Sequence, residues 1–164
     1  MKRILALTLF AVLILASPAT AADHDFALGD SHLVAHDVFG LQTLELQHFR
    51  FGAFTLPGGR AAGRFDYRDI EDGLPFDADG HVTCMTVIGR DAWVGGVVDR
   101  SNDPTVTGLG GWWHVTDNGH GSHGTPDVTS FLGVGSLAAT QAFCDAHAPY
   151  RFAFDVQRGG VLVG

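Results

Sequence analysis

The sequence is poor in lysine, glutamate and cysteine. Of 164 residues only Lys2 is lysine, and only Glu45 and Glu71 are glutamates beside sixteen aspartates. Glutamate favours helices and aspartate favours turns, so this bias points to turn-rich β structure. Charged residues make up 17%, below the usual ~25%, and the formal charge of −8 excludes a basic nucleic-acid binder. Cys84 and Cys144 are the only cysteines, and no C-x-x-C spacing exists for a redox or metal-binding thiol pair. No G-x-S-x-G, H-E-x-x-H or P-loop is present, so none of these common hydrolase or nucleotide signatures applies. What is abundant is glycine, 22 residues, without the three-residue period of collagen. A hydrophobic content of 46% excludes a disordered tail.

The first residues read as a secretory signal. Met1-Lys2-Arg3 is a basic start, Ile4 to Ala16 is apolar apart from Thr8, and Ala19-Thr20-Ala21 is a small-x-small cleavage site. The apolar run is shorter than the ~20 residues of a membrane-spanning helix, and no second long run follows. Residues 1–21 are therefore expected to be a signal peptide. The mature chain is expected to be secreted or periplasmic, with no membrane association after cleavage. Removing them leaves eight arginines against eighteen acids, a charge of −10. Such a chain repels anionic surfaces and attracts cations. In an oxidising compartment the two cysteines are expected to pair.

Residues 22–37 are rich in Asp and His and read as an N-terminal arm leading into a first strand. Residues 38–164 read as one antiparallel β domain. Short β-prone runs fall at 41–55, 61–69, 81–89, 91–100, 109–117, 127–134, 151–157 and 160–163. Turn clusters separate them, including Pro57-Gly58-Gly59, Asp72-Gly73 and Asp79-Gly80. Gly63, Phe65 and Tyr67 share one face and Arg64, Asp66 and Arg68 the other. The run 91–100 is apolar on both faces, so both sides are expected to be covered. Ser136 can cap a helix from Leu137 that Pro149 ends, with Leu137, Gln141, Cys144 and Ala148 on one side. The expected fold is all-β: an antiparallel barrel or barrel-like sandwich with one short helix near the C-terminus.

Histidine is the unusual feature, at nine residues, all beyond the signal. His114, His120 and His123 lie close in sequence and offer imidazoles for zinc or copper. Cleavage after Ala21 would leave Ala22-Asp23-His24 as the first three residues. Their amine, two amide nitrogens and imidazole suit square-planar Cu(II) or Ni(II), and His32 and His36 extend that set. Asp77-Ala78-Asp79-Gly80 begins like a calcium loop but lacks the later ligands, so an Asp-Gly turn is the plainer reading. Asp117, Asn118 and Asp127 are the oxygen donors that a looser calcium site would use. Gly119 to Gly124 spells G-x-G-x-x-G, but β-prone residues follow it where a nucleotide site needs a helix. Trp112 and Trp113 point to opposite faces of a strand, so one is core and the other is a candidate ligand platform.

Three segments carry a family resemblance: GRFDYRD at 63–69, GHVTCMTVIGRDAWVGGVVDRSNDP at 80–104, and WWHVTDNGHG at 112–121. Pro126-Asp127, a later cysteine and a terminal GGVLV at 159–163 follow in order. Over roughly residues 45–163 the chain resembles a group of small bacterial secreted β-domains of unknown function, of the post-COAP-like kind. The resemblance implies an antiparallel barrel-like fold and supplies no catalytic residues. In that group acidic residues follow the DNG turn, where this chain has His120 and His123. The leading expectation is a secreted non-catalytic β-domain with a binding or structural role toward a small ligand or extracellular partner. The alternatives are an exported copper-, zinc- or calcium-binding protein, using the N-terminal arm or the 114–127 loop, and a small hydrolase or isomerase with its site in the barrel mouth.

Overall fold

A computed structural model describes residues 24–36, 44–71, 73–119, 124–150 and 152–164. The described residues are mostly antiparallel β-sheet, curled into a half-barrel with one short helix near the C-terminus. The strands are β1 (Phe26–His36), β2 (Leu44–Thr55), β3 (Ala61–Glu71), β4 (Leu74–Ile88), β5 (Asp91–Ser101) and β6 (Gly110–Thr116). Then come β7 (Val128–Ser130), β8 (Gly133–Gly135), the helix α1 (Leu137–Ala146), β9 (Ala153–Asp155) and β10 (Arg158–Val163). The sheet order is β10-β1-β2-β3-β4-β5-β6-β7-β9, with β8 also paired to β6. Its two outermost strands, β9 and β10, are consecutive in sequence and joined through Val156 and Gln157. So short a link draws the β9 and β10 ends of the curled sheet toward each other.

Two aspartates bridge the seam where strand pairing stops. Asp127 accepts the Asn118 N–H on Oδ1 and the Val161 N–H on Oδ2, both at 2.8 Å. Asp117, itself buried, accepts the Gly119 N–H at 2.8 Å and the Val163 N–H at 3.1 Å. The free edge of β10 thus donates to carboxylates that stand in for a strand. Removing such an acceptor orphans part-buried N–H groups, at about 1–3 kcal/mol each. Asp127→Ala is expected to lower stability by about 2–3 kcal/mol, with Asp127→Asn retaining about half of the loss. Urea denaturation checks this, and an unchanged midpoint for Asp127→Ala would contradict the bridge.

The concave side is filled by aromatic rings. Phe49, Phe51, Phe65, Tyr67 and Trp113 lie at 7% exposure or less, with Val82, Val94, Val98 and Val115 around them. Gly63, Phe65 and Tyr67 do share a face, and β5 is covered on both sides as its pattern requires. Ala92, Val94 and Val98 face the core, and α1 packs against the opposite face of β4, β5 and β6. There the Cys84–Cys144 disulfide is formed. Gly95 lies under it: a Cβ at that position would stand 2.5 Å from the Thr140 methyl and 2.7 Å from Cys84 Sγ. Ser136 caps α1 by accepting the Ala139 N–H at 3.1 Å.

Four expectations need correction. The Asp/His-rich residues 26–36 are not an arm but β1, held in register between β10 and β2. Asp79-Gly80 is not a turn but lies inside β4, where the register to β5 shifts by a bulge. Gly80 is required there because a Cβ would stand 2.0 Å from the Val97 carbonyl oxygen. The run 127–134 divides into β7 and β8. The buried face of α1 carries Thr140 and Cys144, whereas Leu137 is 54% exposed.

Candidate functional site

With the concave side occupied, the organised polar chemistry lies on the convex face of β1–β5. Period-two alternation turns every second residue outward, and the register stacks these residues into transverse rows. One row runs Asp30, Arg50, Asp66, Asp79 and Arg100, each directly opposite the next. The neighbouring row runs Arg158, His32, His48, Arg68 and Asp77. Arg50 and Arg68 both reach Asp66 Oδ1 at 3.4 Å, and Arg100 Nε lies 3.1 Å from Asp79 Oδ1. His81 Nδ1 lies 2.8 Å from Asp99 Oδ1, beside Arg64 at 3.8 Å from Oδ2. Opposite charges facing each other across strands contribute a few tenths to 1 kcal/mol each. A groove of about 460 Å³ crosses this face over Asp30, Arg50, Arg64, Asp66, Asp79 and Arg100.

At one side of the groove three potential ligands converge. His32 and His48 are direct cross-strand partners, with rings stacked at 3.9 Å between centroids and 12° between planes. Asp30 Oδ1 lies 2.9 Å from His48 Nε2 and 3.9 Å from His32 Nε2. The Arg158 guanidinium stands 3.4 Å from His32 Nε2. Loss of hydration, then the neighbouring His48 and Arg158, pushes the His32 pKa below its ordinary value, against the pull of Asp30. Among the described residues this is the one group of three ligating side chains whose donor atoms all lie within 4.8 Å.

The other candidate residues are placed differently. His114 sits half-buried, its Nε2 3.0 Å from Asp91 Oδ1 and its ring 4.8 Å from that of Trp93. Burial pushes its pKa down, opposed by the Asp91 carboxylate. Asp91 also accepts the Thr116 hydroxyl. His120 and His123, and Ala22 and Asp23, lie outside the described residues. His24 is exposed, with Nδ1 3.3 Å from the Thr55 carbonyl oxygen. Asp117 and Asp127 have all four carboxylate oxygens engaged by backbone N–H groups at the seam, which sets them to a structural task. Trp113 is wholly buried in the core and is no ligand platform. Trp112 does face outward, but Gly133 and Gly135 of β8 pass close over its indole and Phe143 of α1 lies 6.3 Å away.

A second polar group, unforeseen in the sequence, is buried at one end of the barrel. Tyr67 donates to Gln47 Oε1 at 3.2 Å, and Gln47 Nε2 donates to the Ser130 carbonyl oxygen at 3.4 Å. Burial, then the charge of Asp69, pushes the Tyr67 phenol well above its ordinary pKa, with Glu45 acting in the same direction. The group ties β2, β3 and the end of β7 together across the interior.

No protein-family model, curated protein or solved structure matches this chain. Among the described residues no helix is long and apolar enough to cross a membrane.

Proposed function

We propose that this chain is an exported, non-catalytic β-domain that binds a small ligand or an extracytoplasmic partner through the convex face of β1–β5. The observation that carries the reading is the division of the sheet into two faces. The concave face is packed with aromatic rings. The convex face holds rows of Asp, Arg and His, and the aspartates and arginines line a groove. Arginine and aspartate together offer donors and acceptors to a polar ligand. The disulfide and the signal-like residues 1–21 support export, as does the resemblance to small secreted bacterial β-domains.

The test has two arms. Mass spectrometry of the chain exported from a bacterial host is expected to find Ala22 as the first residue. NMR titration of the same material with a panel of carboxylates, phosphates and oligosaccharides is expected to move signals of Arg50, Asp66, Asp79 and Arg100. Shifts centred on Phe49 and Trp113, or turnover of any panel compound, would contradict the proposal.

A further inference from the structure

We propose that Asp30, His32 and His48 form a binding site for a late first-row divalent cation, Zn(II) or Cu(II), on the convex face. The inference deepens the convex-face reading and rests on it, because it names a ligand class for that surface. Two imidazoles and one carboxylate are the donor set that zinc and copper prefer over calcium or magnesium, which take oxygen ligands. The distances from Asp30 are close to those required, and a turn of the stacked imidazole rings would aim both Nε2 lone pairs at one cation. Two donors about 2.0–2.1 Å from one cation stand roughly 2.9–3.4 Å apart at tetrahedral or right angles. Asp30 Oδ1 and His48 Nε2 already stand at 2.9 Å, and His32 Nε2 has about half an ångström to close on Asp30.

The frame around the donors is fixed while their ends are accessible. Asp30 and His32 are on β1 and His48 is on β2, within an uninterrupted eleven-pair register. The side chains of His32 and His48 are 33% and 30% exposed, and that of Asp30 is 65% exposed. Water can therefore fill the remaining coordination positions. Among the described residues the other imidazole–carboxylate pairs of this sheet show no second imidazole: His81 with Asp99 is joined by Arg64, and His114 with Asp91 by Thr116. Arg158, 3.4 Å from His32 Nε2, works against a cation at the site, whereas the neighbouring Arg50 and Arg68 are both turned to Asp66. Arg158 is exposed and long enough to swing into solvent when the site fills.

Zinc is the discriminating probe, because the amine–amide set of a free Ala22-Asp23-His24 terminus suits square-planar Cu(II) or Ni(II) rather than Zn(II). Calorimetric titration of the purified exported chain with Zn(II) is expected to show one site per chain that calcium and magnesium do not compete for. His32→Asn and His48→Asn are each expected to weaken binding by about 100-fold, whereas His24→Ala leaves it unchanged. Arg158→Gln is expected to tighten it several-fold by removing a nearby like charge. In the unaltered chain, Zn(II) is expected to shift the ring signals of His32 and His48 and leave those of His81 and His114 in place. That readout does not depend on a variant folding. Absence of zinc binding, full binding by the His32→Asn/His48→Asn double variant, or binding lost only in His24→Ala would overturn the proposal. A failed zinc titration alongside panel shifts that still map to Arg50 and Arg100 would remove the metal and leave the convex-face reading standing.

Discussion

Breaking the Cys84–Cys144 bridge, by reduction or by replacing both cysteines with alanine, is expected to lower the stability of the domain by about 4 kcal/mol. The bridge closes a loop of 60 residues that contains β5 to β8 and most of α1. In the chain-entropy account, opening a loop of that length frees the unfolded chain and leaves native contacts largely intact. Native contacts are numerous here. Trp93 Nε1 donates to the Ala148 carbonyl at 2.9 Å, and Thr140 packs over Gly95 and Gly110. The folded state of the alanine variant should therefore keep its far-ultraviolet spectrum while its urea midpoint falls. An unchanged midpoint for reduced and oxidised protein would show that the α1–sheet contacts alone fix this layer.

Alanine is the right replacement because both sulfurs are in a closed environment. Cys84 is 6% exposed and Cys144 is 1% exposed, so serine would bury a hydroxyl and mix two effects. Gly95→Ala is not a mild control here, since the added methyl meets the bridge itself.

The legible parts of the fold were those whose signals are local. The strands β3 and β5 alternate clearly, and α1 has a capping serine before it and Pro149 after it. β1 was hidden by the partner it packs on. Its inward residues are Ala27, Gly29, Ser31, Leu33 and Ala35, mostly small, because the rings of β2 take the space. A Cβ on Gly29 would stand 2.2 Å from the Phe51 ring. With small residues inside and Asp and His outside, the segment reads as solvated chain although it is a central strand. β4 was cut short for a related reason. Asp77 and Asp79 carry turn chemistry, but from β5 Arg100 pairs with the Asp79 carboxylate and the Ser101 hydroxyl donates to the Asp77 backbone carbonyl, which no local reading supplies.

The histidine cluster was missed because it is a product of register. Counting along the chain groups His114 with His120 and His123, whereas the sheet brings His32 opposite His48. One signal was available: Asp30 and His32 fall on one face once 26–36 is taken as a strand. The second histidine then follows only from knowing that β1 pairs with β2 in that register. The seam aspartates teach the same lesson. Asp117 and Asp127 flank a loop and look like calcium ligands, yet one oxygen of each accepts from the edge of β10, more than thirty residues away, and the other from the adjoining N–H groups of Asn118 and Gly119.

Trp113→Ala is expected to be the most damaging single substitution in the core, at about 3–5 kcal/mol. The indole is wholly buried and lies 5.1 Å from the ring of Phe49, 5.6 Å from that of Phe51 and 5.2 Å from that of Phe65. Alanine removes the buried surface and those ring contacts together, and rigid strands on both sides limit collapse. Trp113→Phe should cost less, about 1–2 kcal/mol, because the Trp113 Nε1 hydrogen has no hydrogen-bond partner among the described residues. Losing that N–H removes an unmet polar group along with some volume. The alanine variant also tests whether the concave side is a packed core or a covered binding site. A dry cavity lined by Phe49, Phe51 and Phe65 should take up indole, as apolar cavities admit small aromatic molecules. Added indole is expected to raise the denaturation midpoint of Trp113→Ala and to leave that of the unaltered chain in place. A midpoint raised equally in both would mean that the interior already has room for a ligand, and would return the barrel mouth to consideration as the working site.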